Sequence, residues 1–277
     1  MKCIRNDQAF LWKPEMLDGI SLFKAQFHQF VYRKHTHNEF AIGVIEYGAQ
    51  KFFHKGQMHM APSRAIITVN PDEIHDGETA TDLGYQYRMA YINPEIVSEI
   101  LTECYGVKCA LSYFPSPVTF DHDVSKRLLH ALLLLDQNTN TFLEAQTRFI
   151  QAIAELFIRH GQPRRFPQYP KKNDTAIRKA CEFIRAMASE NISLDDIARA
   201  VGVSRFHFLR IFKATTGFSP HAYLIQRRLD IAKTLIEHGC SLAQAAFEAG
   251  FADQSHMTRR FKAAYGVTPG QYQKAVL

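Results

Sequence analysis

No stretch of this chain approaches the roughly 20 consecutive apolar residues that a membrane-spanning helix needs, so a transmembrane protein is not expected. The first seven residues carry charges with no apolar run behind them, and no secretory signal is expected there. Cysteine is scarce: Cys3, Cys104, Cys109, Cys181 and Cys240 are odd in number and scattered, without the paired spacing of a zinc or redox motif. The expectation is reduced thiols in a cytoplasm, most of them buried. Charge is not in excess either, at 22% against 46% hydrophobic residues, which excludes wholesale disorder. With 277 residues there is room for two domains with ordinary cores.

What charge there is lies unevenly. Residues 171–277 hold 16 Lys and Arg against 9 Asp and Glu, net +7, and residues 1–170 hold 17 against 18, net −1. A basic region joined to a neutral one fits a nucleic-acid-binding domain attached to a domain with another task. Hydropathy patterning divides the chain similarly. Up to about residue 92 it reads as short strands at 20–27, 39–46, 50–54, 57–60, 64–69 and 85–92, with a turn at Lys55 and Gly56. Many short strands without long helices favour a closed or sandwiched antiparallel β unit. Helical periodicity takes over at 94–104, 123–136 and 142–160, the last with Phe149, Ile153, Leu156 and Phe157 on one face. Residues 161–174, with three prolines and four cations, read as a linker before helices resume.

The last hundred residues contain one helical module written twice. Ser193 and Ser241 lie 48 residues apart, as do Gly202 and Gly250; from His207 and His256 onward the offset is 49, one extra residue having entered the second turn. Each copy is a short helix, a glycine turn and a second helix with outward cations, the layout of a helix-turn-helix. Ser193 with Asp196, and Ser241 with Gln244, have capping-box spacing or a close variant. Ser219 before Pro220 and Thr268 before Pro269 pair a hydroxyl N-cap with a proline at the first helical position. Gly217 and Gly266 end the preceding helices. Between the copies, residues 220–237 form one helix of roughly 27 Å, a spacer of the order needed to hold two recognition helices in successive major grooves.

Each recognition helix buries one face and presents another. In the second copy Met257, Phe261 and Tyr265 recur at i, i+4 and i+8 and belong to the core, which turns Gln254, Ser255, Thr258, Arg259 and Lys262 outward. In the first, Phe208 and Phe212 are core, leaving Arg205, Phe206, Leu209, Arg210 and Lys213 exposed. Arg210 and Arg259 occupy matching positions and suit guanine O6 and N7, while Gln254 suits adenine. Lys213 and Lys262, near the helix ends, suit phosphate. Phe206 either touches a thymine methyl or packs on the preceding helix.

The echoes His207-x-x-Arg210-x-Phe212-Lys213 and His256-x-x-Arg259-x-Phe261-Lys262, each followed by Gly-[Phe/Val]-[Ser/Thr]-Pro-x-x-Tyr, resemble the DNA-binding domain of AraC/XylS-family bacterial transcription regulators over about 100 residues. The resemblance implies a module that inserts both recognition helices along one face of a promoter site. Leu209 departs from it, standing where a polar base-reader is common, and Arg210 is then the main candidate in the first helix.

In the N-terminal half, His35-x-His37 and Pro71-x-x-x-His75 resemble the two motifs of a cupin barrel, whose three histidines and one glutamate hold a divalent metal. The acid's usual place falls on Ala41 and Ile42; Glu39 shares the face but comes early. His35, His37, Glu39, His75, Tyr87 and Tyr91 are therefore assigned to a pocket for a small effector, as the resemblance to metabolite-sensing family members implies, and no metal or other cofactor is assigned. The bland alternatives are histidines hydrogen-bonded at a barrel mouth and tyrosines that are simply core.

The fold class expected is α+β in two domains: a cupin-like antiparallel β-barrel with flanking helices for effector binding and dimerisation (1–160), a linker (161–174), and an all-α tandem helix-turn-helix domain (175–277). The function implied is a cytoplasmic, nucleoid-associated, effector-controlled transcription regulator, most often an activator and not an enzyme. Its partners would be promoter duplex DNA, a small-molecule effector, RNA polymerase and a second copy through the 123–160 helices; a membrane is not among them. The rivals are a metal-dependent cupin enzyme with a DNA-binding tail, and a constitutive DNA binder with an inert barrel.

Overall fold

Strict alternation along β8 (Tyr85–Ile92) organises the first unit of the molecule. Tyr87, Met89 and Tyr91 turn to one face of the sheet, where they line a cavity. Ala90 and Ile92 turn to the other, where they join the buried core under the helices. The computed structural model describes residues 7–14, 17–105, 112–136, 142–163 and 172–277, and the chain divides into two units, Met1–Arg164 and Arg165–Ala275.

The first unit is built on nine antiparallel strands. The order β1 (Gln8–Trp12), β2 (Ile20–Phe27), β8, β4 (Phe40–His54), β6 (Ile66–Val69) and β10 (Val118–Thr119) makes one sheet. The second half of β4 pairs with β5 (Gln57–Pro62) and with β7 (His75–Thr79), which in turn pairs with β3 (Tyr32–His35). One long strand thus belongs to both layers. The sequence reading split it in two at Gly48. Gly48 instead takes φ +73 beside a register shift between Ile45 and Tyr47, so the chain bends without leaving the ladder. Lys55 and Gly56, both at positive φ, close the β4–β5 hairpin.

Three helices cover the first sheet: α1 (Pro94–Tyr105), α2 (His122–Asp136) and α3 (Phe142–His160). Leu128, Leu132, Phe149, Ile153, Leu156 and Phe157 bury their stripes against Leu22, Ile42, Val44, Ile66 and Ile92, each contributing about 1.5–3 kcal/mol of hydrophobic stabilisation. Arg88 breaks the apolar run of β8 on that side. It is buried and reaches Glu46 at 2.9 Å and Asp136 at 2.8 Å, and Lys24 also pairs with Asp136 at 2.8 Å. A two-stranded ladder joins β9 (Ser112–Tyr113) to β11 (Gln162–Pro163). The expected linker is therefore shorter than 161–174: Gln162 and Pro163 are paired, and the next helix starts at Lys172.

The second unit is helical: α4 (Lys172–Ala186), α5 (Leu194–Val201), α6 (Arg205–Thr216), α7 (Pro220–Glu237), α8 (Leu242–Glu248), α9 (Gln254–Tyr265) and α10 (Pro269–Val276). Its starts follow side-chain chemistry. Ser193 and Asp196 form a reciprocal capping box, and so do Thr268 and Gln271. Ser241 caps α8 through its hydroxyl alone, because the Gln244 amide turns to Glu248 at 2.7 Å; the box expected there is only half present. Asp253 caps α9, its Oδ1 accepting from His256 N at 2.6 Å. Phe208, Phe212, Met257 and Phe261 are completely buried.

The thiols depart from expectation. Among the described cysteines, Cys104 is exposed and Cys181 and Cys240 are half-buried, all three free. Cys3 and Cys109 lie outside the described residues. Cys104 and Cys240 sit at helix ends, while Cys181 lies within α4 beside the buried Ala180 and Ile184.

Candidate functional site

The cavity between the two β layers is lined by side chains from β3, β4, β6, β7 and β8 and measures about 40 Å³, room for a few waters. Of the residues assigned from sequence, His35, His75, Tyr87 and Tyr91 line it; His37 and Glu39 do not. β3 ends at His35, so the same-face rule stops before His37. The His37 ring is nonetheless buried, 4.9 Å from His75 and 5.4 Å from Tyr91 by ring centres. Pairing of His35 with His75 across β3 and β7 sets their rings 4.2 Å apart.

Each histidine of the cluster bonds a main-chain carbonyl through Nδ1: His35 to Arg33 at 2.7 Å, His37 to Glu39 at 2.6 Å and His75 to Glu73 at 3.0 Å. A carbonyl only accepts, so Nδ1 carries a proton in each, and in the neutral rings of His35 and His75 Nε2 is an acceptor. Burial pushes His35 down to about 3, aided by the neighbouring His37, and pushes His75 well below the ordinary range, aided by His35. Such rings suit a metal in tautomer, but among the described residues no three His, Cys, Asp or Glu side chains converge into a metal shell.

Sequence reasoning missed Tyr32, Gln50 and Phe52, which also line the cavity beside Ala41, Ile67, Val69 and Met89. The Tyr32 and Tyr87 hydroxyls share a hydrogen bond at 2.7 Å, and Tyr85 stacks on Tyr87 at 5.5 Å. Burial raises Tyr32, Tyr87 and Tyr91 well above the ordinary phenol, so they act as neutral donors and acceptors. The one available signal was Tyr32 standing three residues before His35, which reads as a loop until β7 pairs with it. Below the cavity, Glu73 accepts from His54 at 2.7 Å, Lys55 at 2.5 Å and Asn70 at 2.9 Å.

On the second unit, α9 buries Met257 and Phe261 and leaves Gln254, Ser255, Arg259 and Lys262 exposed, with Thr258 half-buried. On α6, Leu209 and Lys213 are exposed; the side chains of Arg205, Phe206 and Arg210 lie outside the described residues. Tyr265, expected in the core, is half-buried and donates its hydroxyl to Asp230 of α7 at 3.3 Å. Arg228 of α7 donates to the carbonyls of Ala188 and Glu190 at 2.8 and 2.9 Å. These contacts tie both modules to the central helix. Among the described residues no helix is long and apolar enough to cross a membrane.

Comparison with known proteins places both parts. Residues 19–153 match the AraC-like ligand binding domain, and residues 197–275 match a helix-turn-helix domain. The uncharacterized HTH-type transcriptional regulator YbfI of Bacillus subtilis is 30% identical over 223 residues, 80% of each chain. The chain belongs to the AraC family of transcription regulators. Its two-domain α+β fold, an antiparallel sheet domain followed by a helical one, is that of a single-residue variant of apo ToxT from Vibrio cholerae, with TM-score 0.58 at 12% identity over 94% of this chain and 99% of that one. A second ToxT structure, with TM-score 0.52 at 13% identity over 99% of this chain and 100% of that one, holds a naphthalene-bearing butenoic acid. As an AraC-family regulator the protein has a ligand-binding domain and a DNA-binding domain in one chain, and its relatives are transcriptional regulators rather than named enzymes.

Proposed function

We propose that this regulator is a one-component activator without enzymatic activity, working in the bacterial cytoplasm on nucleoid DNA. Residues 1–160 sense a small effector in the cavity lined by His35, His75, Tyr87 and Tyr91, with His37 and Glu39 holding its rim. Residues 175–277 read promoter DNA through α6 and α9: Arg210, Arg259 and Gln254 on base edges, Lys213 and Lys262 on phosphate, and Arg205, Phe206, Leu209, Ser255 and Thr258 around them. The observation that carries the reading is α9, whose buried Met257 and Phe261 leave four polar side chains on one open face. The effector acts because it binds one arrangement of the chain more tightly than another, and the segment joining the two units, expected at 161–174, is where that arrangement changes. RNA polymerase and a second copy of the chain, joined through the outer faces of α2 and α3, are the remaining partners.

The test is genome-wide DNA capture with the purified full-length protein at a stated salt concentration, followed by footprinting of the strongest site. Two protected half-sites about one helical turn apart support tandem reading. Enrichment that ignores sequence overturns it.

A further inference from the structure

Two tyrosines of the second module end on acids of the central helix. Tyr265, the last residue of α9, donates its hydroxyl to Asp230 Oδ1 at 3.3 Å, and Tyr272 of α10 donates to Glu237. The two acids are two turns apart on one face of α7. Gln226 Nε2 braces the first contact, 3.0 Å from Asp230 and 3.4 Å from Tyr265. With its other oxygen Asp230 pairs with Arg227 at 3.1 Å. The Arg227 guanidinium lies 5.2 Å from the centre of the Tyr223 ring, and Tyr223 meets the fully buried Phe212 of α6 edge-on at 5.6 Å. On α9, Tyr265 meets the fully buried Phe261 edge-on at 4.6 Å. A continuous series of contacts thus runs from α6 through α7 to α9, with Asp230 at its centre.

The joint is particular to the second copy. At the offset of 49 the residue matching Tyr265 is Thr216, whose hydroxyl turns back to the carbonyls of Phe212 and Phe218 at 2.8 and 3.3 Å. Tyr265 therefore serves the seat of α9 on α7 rather than the fold of a helix-turn-helix. Apolar contacts alone would let α9 rock at little cost, because dispersion has no direction. Hydrogen bonds to a carboxylate are short and directional, and they fix one seat. The near end of α9 is held separately, by the turn at Gly250 that closes on the Ser189 carbonyl. A helix of 12 residues, about 18 Å long, has one tilt when both ends are held. Released at Tyr265, it can pivot on the Gly250 turn, and a half-site moved by one base pair, about 3.4 Å, becomes easier to follow. We infer that Asp230 is a positioning residue for DNA reading: by seating the far end of α9 on the helix against which α6 packs, it fixes the separation of half-sites that the protein accepts. This deepens the reading of α6 and α9 as tandem readers and rests on it.

The experiment measures binding of the full-length protein, by fluorescence anisotropy, to duplexes built from the footprinted site: the site itself, one with a base pair inserted between the half-sites, and two with a single half-site scrambled. The unaltered protein is expected to bind the parent duplex at least about tenfold more tightly than the inserted one. Tyr265→Phe, which keeps the ring on Phe261, and Asp230→Ala should each lower that ratio about fivefold. Binding to the scrambled duplexes should stay as it is in the unaltered protein. A purely structural role would instead weaken every duplex alike and leave the ratio unchanged. Tyr265→Phe lacks a single oxygen and carries the test if Asp230→Ala does not fold. An unchanged ratio in Tyr265→Phe overturns the inference and leaves tandem reading intact. If the unaltered protein binds a scrambled duplex as tightly as the parent, tandem reading itself fails and the inference falls with it.

Discussion

A Cβ placed on Gly250 would lie 2.5 Å from the carbonyl oxygen of Ser189. The turn of the second helix-turn-helix thus sits directly on the loop that precedes the first, the same loop whose carbonyls Arg228 holds. Gly250 also takes φ +80, so an added methyl meets both backbone strain and a clash. Gly250→Ala should cost about 2–4 kcal/mol in thermal or urea unfolding. The equivalent turn residue Gly202, at φ +69 with nothing within 4 Å, is the control. Gly202→Ala should cost only about 1 kcal/mol. Equal losses at both glycines would show that the contact with Ser189 is not tight.

Acid should weaken the protein through two groups whose pH windows overlap. Burial and His37 keep His35 at about 3; its contribution is full above the ordinary histidine value of roughly 6.5 and is lost as pH falls toward 3. For Glu73, burial pushes upward, but hydrogen bonds from His54, Lys55 and Asn70 win and hold it at about 2. Its contribution, about 3 kcal/mol at most, is therefore full above roughly pH 5 and lost as pH falls toward 2. Urea unfolding at stepped pH should show Glu73→Gln losing less stability than the parent between pH 5 and 2. Parallel curves would remove Glu73 from the account.

Arg259→Ala should weaken binding to the footprinted site by about 1–3 kcal/mol and to random duplex far less. Lys262→Ala should weaken both alike and lower the slope of log affinity against log salt by about one. Fluorescence anisotropy at several salt concentrations separates the two. An Arg259 variant that loses equally on both duplexes assigns that guanidinium to phosphate.

Residues 171–277 expressed alone should give a cooperative helical unfolding transition and bind the same site. A fragment that is unfolded, or folded but inert, refutes the division of labour between the two units.

The sequence was most legible where a residue's neighbours in the chain decide its place. β2, β8 and α3 fall at the residues that their periodicity marks, and the caps at Ser193, Ser219 and Thr268 form as their side chains dictate. It was least legible where a distant strand decides. Tyr32–His35 and His75–Thr79 are polar, short and without alternation; only their pairing with each other and with β4 makes them strands. The cavity was half-read for the same reason. Tyr87 and Tyr91 declare themselves by alternation, whereas Tyr32, Gln50 and Phe52 join them only after strands far apart in sequence are brought together. His37 was assigned by a two-residue period that ends with the strand at His35.

Because neighbours along a strand face opposite ways, β8 places Arg88 between Tyr87 and Met89 with no intervening layer. A molecule wedged against those two cavity residues presses on the same stretch of backbone that carries Arg88. Its guanidinium is fastened to Asp136, the last residue of α2, by a 2.8 Å bond that Lys24 shares. Occupancy inside the sheet would then be announced on its outside within the width of one residue, at the end of a helix. The pleat would be the lever, and the Arg88–Asp136 pair is where its far arm comes to rest.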